Sequence, residues 1–320
     1  MSVLLQQVAL VSDSKQVKSK DLMRVAAALQ KQASRDLAPI WDVSATVDAF
    51  ETLEDVPLGY WPMIIMDDIQ QEGAAGIHLD QDNQPFALIT ASSDLDVWSL
   101  TSSHEMLEML VDPFGNRLMA GDSPKPDQGR VEFLVEVSDP SEAAEFAYTV
   151  NGILVSDFYT PKFFDPVVAH GVRYSFTGAI TEPRQVLPGG YLSWHDPASD
   201  HWWQETWFGG AEPRFRDLGR FDAKAGSLRA QIDRITGADQ AKVMAAGRPA
   251  ARAAGLTAAV GRQSSASKAA QWREQISEIV GRPTRAEAPR TRRGESERAR
   301  RAAAERPEPQ IRRAGRVWGD

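Results

Sequence analysis

Cysteine is absent from this 320-residue chain, so disulfides, thiolate metal sites and cysteine nucleophiles are excluded, and any metal must be held by His, Asp or Glu. Histidine is scarce as well, with five residues in all. The chain has no Gly-rich phosphate loop, no GxSxG nucleophile elbow and no dinucleotide fingerprint; Gly189-Gly190 and Gly209-Gly210 are turn signals. No internal repeat is present. No apolar run approaches a membrane span, and Met1 to Lys15 carries neither a basic n-region nor a small-residue cleavage site. These absences predict a cytoplasmic protein with no membrane partner.

The hydrophobic content of 42% is enough for a sizeable core, and the length suits one large or two ordinary domains. The net charge of −8 conceals two opposite halves. Residues 1–220 hold 15 Lys and Arg against 33 Asp and Glu, a balance of −18, while residues 221–320 hold 21 against 11, a balance of +10. The chain reads as an acidic body with a basic tail.

Along the body, Val8 to Ser12 reads as a strand, and Ser19 to Ala33, with Leu22, Val25, Ala26 and Leu29 at helical spacing, as a helix. Leu37 to Val47 and Trp61 to Met66 read as strands, the second apolar enough to be central. Gly76 to Leu79 and Phe86 to Thr90 flank a polar turn and predict a hairpin. Beyond a polar stretch from Gly115 to Gly129, strands are expected at Val131 to Val137, Phe146 to Val155, Val172 to Ala179 and Gly190 to Trp194, joined by Pro- and aromatic-rich loops. From about residue 221 the composition turns to Ala, Arg, Gln and Ser, with short amphipathic segments at Leu228 to Ile235 and Ala266 to Val280. Residues 282–320 have almost no large apolar side chains and are expected to be disordered.

The motif that says most is His104-Glu105-Met106-Leu107-Glu108, followed by Asp112-Pro113. On a helix, His104, Glu108, Asp112 and Glu105 fall near ~0°, ~40°, ~80° and ~100°, and Met106, Leu107, Met109, Leu110 and Val111 fill the rest of the circle. A helix with so wide an apolar arc is a core helix, and a core helix carries an imidazole and three carboxylates only where something neutralises them. A divalent metal would. His104 and Glu108, one turn apart, can grip one cation, and Glu105 beside them can take a proton from a metal-held water. This is the HExxH logic with a carboxylate in place of the second histidine, which suits zinc or a harder ion such as manganese. The competing reading is a capping box, Ser102-x-x-Glu105, in which Glu105 only satisfies backbone donors at a helix start. Ser93 or Asp94 as an earlier N-cap would place Glu105 in mid-helix and remove that reading.

The run from Ser102 to Pro113, with Val135-Glu136-Val137-Ser138-Asp139-Pro140 and an Asn151-Gly152 turn, resembles a zincin-like family in which an HExxE helix ends in Asp-Pro or Asn-Pro and is followed by a short strand closing on Asp. Plant exordium and phosphate-induced proteins and uncharacterised bacterial proteins share the pattern, and the resemblance covers residues 60–160. It implies an α+β fold: a zincin-like mixed sheet with an active-site helix, then a β-rich aromatic subdomain and a basic, largely disordered tail. The order strand, helix, strand, strand, hairpin, helix is the one zincin-type peptidases use, with the last strand before the helix at the sheet edge, where an extended peptide can pair. The boundaries that follow are a metal-hydrolase domain at 1–220 (1–115 sheet and helix, 116–220 β-rich), a helical linker at 221–281 and a tail at 282–320.

The third metal ligand has two candidates. Asp112 lies on the helix stripe two turns from His104, and Asp139 arrives from another element. His78, on the edge strand, is the candidate substrate contact. His195-Asp196 and Asp200-His201 read as loop anchors, with a second ion site as the alternative, and His170 also falls in a later loop. Tyr148, Tyr159 and Tyr174 are either core or oxyanion partners. The functional expectation is a zinc or manganese hydrolase acting on a peptide or protein, with Glu105 as general base. The alternative is a non-catalytic zincin-fold binding or structural protein whose basic tail attaches it to an acidic surface or to nucleic acid.

Overall fold

The computed structural model describes residues 5–71, 74–222 and 224–236. Residues 237–320, including the amphipathic segment from Ala266 and the basic tail expected from the sequence, lie outside the described residues. The fold is mixed α/β, with two five-stranded sheets, a two-stranded hairpin and few helices. Among the described residues no helix is long and apolar enough to cross a membrane.

The first sheet comprises β1 (Leu5–Ser12), β2 (Ser44–Phe50), β3 (Trp61–Met66), β4 (Gly76–Gln81) and β5 (Gln84–Thr90), in the order β2-β1-β3-β5-β4. Every pairing is parallel except that of β4 with β5. The central strands are apolar on both faces because both faces are covered. Val8, Leu10, Met63 and Ile65 point into the main core with helices α1 (Ser19–Lys31) and α3 (Leu95–Val111), and Ala9, Val11, Ile64 and Met66 point into a smaller core with Leu53, Ile69 and Phe86. The β4–β5 hairpin turns at Asp82 and Asn83, both at positive φ. β4 takes the edge. The last strand before α3 is β5, which lies between β3 and β4 and so not at the edge, contrary to the sequence expectation.

One expected strand is replaced by a helix. The chain after α1 passes through a π-helical turn at Gln32–Leu37 and a short helix α2 (Ala38–Trp41), and extended structure begins only at Ser44. Leu37 and Trp41 are one turn apart and both buried, so the apolar pattern read as a strand is a helical one continued. Trp41 is further fixed by its indole N–H, which donates to the Tyr159 carbonyl at 2.9 Å.

The second sheet is antiparallel throughout: β6 (Leu118–Asp122), β7 (Arg130–Leu134), β10 (Tyr191–Asp196), β11 (His201–Thr206) and β12 (Arg214–Gly219), ordered β12-β11-β10-β7-β6. β6 falls in the polar stretch from Gly115 to Gly129, where the sequence reading assigned no strand. The region 172–179 forms no strand beyond a bridge between Tyr159 and Ser175. Between these elements the hairpin β8 (Tyr148–Val150) and β9 (Ile153–Val155) turns at Asn151 and Gly152, both at positive φ. The hairpin is tied to α3 through serines. Ser99 Oγ donates to the Leu154 carbonyl, and Ser103 Oγ accepts from Ser156 N while donating to Gln32 on the turn after α1.

Candidate functional site

The site is built on α3. Its N-cap is Asp94, whose carboxylate accepts from Asp96 N at 3.0 Å, so Glu105 is a mid-helix residue. Ser102 Oγ donates to the Trp98 carbonyl one turn back, as a hydroxyl inside a helix does, and the capping-box reading of Ser102 and Glu105 is excluded. Of the helix residues only Leu95, Asp96 and His104 are not buried. The helix is a core element, and Glu105 and Glu108 are inside.

Two sets of potential metal ligands converge there, each with ligand atoms within 4.8 Å of one another. The first is His104, Glu108 and Asp139. His104 Nε2 lies 3.3 Å from Glu108 Oε1 and 3.2 Å from Asp139 Oδ1. Asp139 is placed by the short 3-10 turn Asp139–Ser141 that follows β7, and Ser138 N donates to Glu108 Oε1, locking this turn to the helix. The second set is His78, Glu105 and Glu108, with His78 Nδ1 3.6 Å from Glu105 Oε2 and from Glu108 Oε2. Among the described residues, both ring nitrogens of His78, Glu105 Oε2, Glu108 Oε2 and Asp139 Oδ1 have no hydrogen-bond partner although each is buried. Orphaned polar atoms of this kind, aimed at one another, are costly without a cation among them.

Asp112 is not part of either set. Its two oxygens accept from Asn116 N at 3.1 Å and Arg117 N at 2.8 Å, so it closes the loop after the helix. Arg117 completes that closure, donating to the Val111 carbonyl at 2.9 Å and covering the Trp41 ring. Of the two candidates for a third ligand, the structure brings Asp139 to His104 and Glu108. His78 lies on edge strand β4 as expected, but its ring is 2% exposed and points inward to α3.

The electrostatics reflect crowding. Burial raises Asp139 to about 6, with the neighbouring Glu108 charge adding to the effect. Burial also raises Glu136 well above the usual carboxylate range, further than the adjacent Arg229 can offset. Burial disfavours charge on His104, but the carboxylates of Glu108 and Asp139 outweigh it and hold the imidazole well above its ordinary range. Glu108 moves the other way: its burial is outweighed by the His104 charge, and its pKa is lowered.

Sequence reasoning missed two participants. Arg229, on a helical segment at residues 228–236, reaches Asp139 Oδ2 at 2.8 Å, Glu136 Oε2 at 3.1 Å and the Tyr191 hydroxyl at 2.9 Å, while its Nε pairs with Asp233 at 3.1 Å. The segment had been assigned to a linker because the composition shifts at residue 221; the signal available was the one-turn spacing of Arg229 and Asp233 with the buried Ile232 between them. Glu136 stands between Val135 and Val137, each 0% exposed, and that apolar bracketing marked an interior carboxylate.

The other residues singled out by sequence have local partners. His195 and His201 lie on β10 and β11, not in loops. His195 contacts Glu132 and Asp200 at 3.0 and 3.2 Å and lies against Trp202, and His201 contacts Asp217 at 2.9 Å. Tyr148 donates to Asp36, and the Tyr174 hydroxyl accepts from Ala169 N. Tyr159 is fully buried with its hydroxyl unpartnered among the described residues. A groove lined by Ile69, Ile77, Leu79, Phe86 and Leu88 lies across the sheet from the cluster, since Ile77 and Leu79 alternate with His78 along β4.

Compared with protein-family models, curated proteins and solved structures, the chain matches none.

Proposed function

We propose that the chain is a metal-dependent hydrolase, most simply a peptidase, in which His104, Glu108 and Asp139 hold a zinc or manganese ion and Glu105 is the general base. The observation that carries this reading is the convergence of His104 Nε2, Glu108 Oε1 and Asp139 Oδ1 on one point, with Asp139 Oδ1 lacking any other partner among the described residues. The donor set of one imidazole and two carboxylates fits either ion. The sheet supports the zincin-like resemblance: parallel strands, one antiparallel edge strand, and a core helix leaving the sheet next to that edge with the HExxE motif on it.

A bound ion would lower the pKa of a water and polarise a substrate carbonyl. Glu105, one residue beyond His104 on the helix, would serve as the base that accepts a proton from the attacking water and returns it to the amide nitrogen as the C–N bond breaks. Asp139 has a second task, since its Oδ2 is held by Arg229 and its Oδ1 is thereby fixed toward His104. Among the described residues β4 has β5 as its one neighbour, so its outer edge offers backbone groups to an extended peptide.

Two observations favour a second reading, a binding or structural protein: Arg229 already supplies a positive charge inside the cluster, and the groove lies on the opposite face of the sheet. Two measurements separate the readings. Metal analysis of the purified full chain should find bound zinc or manganese, and Glu105→Gln should abolish hydrolysis of an unstructured peptide while the fold remains. Absence of metal, or a Gln variant as active as the parent, would defeat the hydrolase reading.

A further inference from the structure

The ligands beneath the helix outnumber what one ion requires. Resting on the reading above, we propose that the centre holds two divalent cations bridged by Glu108, the second bound by His78, Glu105 and Glu108.

The Glu108 carboxylate is divided between two imidazoles. Its Oε1 lies 3.3 Å from His104 Nε2 and its Oε2 lies 3.6 Å from His78 Nδ1. A separation of 3.6 Å is too long for a hydrogen bond, and Glu108 Oε2, Glu105 Oε2 and His78 Nδ1 are all buried without a hydrogen-bond partner among the described residues. Three donor atoms of the right chemistry thus surround one point on the β4 side of the helix, as three others do on the Asp139 side. A carboxylate with one oxygen on each of two metals is the arrangement by which a two-metal site shares a ligand.

His78 is oriented for the task. Its Nδ1 faces Glu105 and Glu108, and its Nε2 faces Glu136 at 3.9 Å. A metal-binding imidazole commonly gives its other N–H to a carboxylate, which fixes the tautomer; Glu136 lies near that nitrogen but at 3.9 Å is not hydrogen-bonded to it. Glu136 in turn is held by Arg229 at 3.1 Å.

Charge points the same way. Glu105, Glu108, Glu136 and Asp139 are all buried, and the one guanidinium among them, Arg229, is matched by Asp233 on its own helical turn. Four buried carboxyl groups thus share one guanidinium, more acidic groups than one divalent ion would ligate, and a second ion would supply further positive charge there.

In the two-ion state Glu105 would be a ligand as well as the proposed base, so its substitution changes metal content as well as rate. The experiment is metal stoichiometry of the folded full chain, equilibrated with excess Mn²⁺ or Zn²⁺, passed through a desalting column and measured by plasma mass spectrometry. Two ions per chain are expected for the parent and one for Glu105→Gln, which is nearly isosteric, and for His78→Asn. Circular dichroism reports whether each variant is folded, and Glu105→Gln decides the matter should His78→Asn fail to fold. One ion in the parent, or two retained in Glu105→Gln, overturns the second site while leaving the single-ion hydrolase intact. No ion in the parent overturns both.

Discussion

Adding one methyl group to Gly76 tests how closely β4 lies against the site helix. A Cβ at this position would stand 2.6 Å from Glu105 Oε1, 2.6 Å from Thr101 Cγ2 and 2.7 Å from Glu105 Cγ. Carbon contacts are most favourable at about 3.5–4.0 Å, so each of these is short by roughly 1 Å. Thr101 cannot simply turn away, because it is β-branched and its hydroxyl donates to the Val97 carbonyl at 3.0 Å. Glu105 is 3% exposed and has no open solvent to swing into. Strand and helix must therefore separate. Overpacking of this kind costs about 1–3 kcal/mol, and the lower backbone entropy of unfolded Ala offsets about 0.4–1 kcal/mol of it. A net loss of about 1–2 kcal/mol in a body of this size lowers Tm by roughly 2–8 °C. On the proposed mechanism activity should suffer more, because displacing its general base Glu105 by about 1 Å costs on the order of 100-fold in rate. Scanning calorimetry and peptide hydrolysis of Gly76→Ala are compared with Gly129→Ala, where a Cβ meets nothing within 4 Å. Equal melting and equal rates for the two variants would show that the strand and helix are not in contact at Gly76.

Other perturbations have equally specific outcomes. Burial raises Glu205 to about 7, above its ordinary 4.5, so its contribution to stability is complete below about pH 4.5 and is lost as the pH rises through 7. The full difference is about 3 kcal/mol at most, and Glu205→Gln should flatten the dependence of Tm on pH between 5 and 8; an unchanged slope would place the carboxyl in water. Arg229→Met should destabilise metal-free protein by about 3–5 kcal/mol in urea titration, since Asp139, Glu136 and Asp233 lose their counter-charge, and a parental midpoint would mean that the guanidinium is not seated among them. Asp94→Ala removes the N-cap of α3 and should cost about 1 kcal/mol, with metal content unchanged; loss of metal would mean that the helix start and the site are coupled.

Much of the first sheet was legible because its signals are local. Trp61–Met66 announces a buried strand by unbroken apolarity, and the Asp82-Asn83 turn announces a hairpin by its tolerance of positive φ. The same held for His104, Glu105 and Glu108, whose proximity is guaranteed by helix periodicity alone. Position within the sheet was less legible: that β5 would lie inside β4 depends on long-range pairing, which no local pattern encodes. The misread strand at Leu37 has the same origin, since an apolar run of that length fits a helix or a strand until its partners are known.

The site divides along the same line. Asp112 is close to His104 in sequence and lies on its stripe, which made it one of two candidate ligands beside Asp139. It is drawn off by two backbone N–H groups of the loop that Pro113 begins, because a helix C-terminus leaves a turn to be closed and the nearest carboxylate closes it. His78, the Glu136–Asp139 segment and Arg229 come from three separate stretches of chain and meet at one helix face only when both sheets are assembled. Their common property was visible in the sequence even though their meeting was not: each is a charged or titratable residue set beside apolar neighbours. A chain that buries so many such groups together neutralises them at the same place, and Arg229, the raised carboxyl pKa values and the proposed ions on either side of Glu108 are the means this helix face offers.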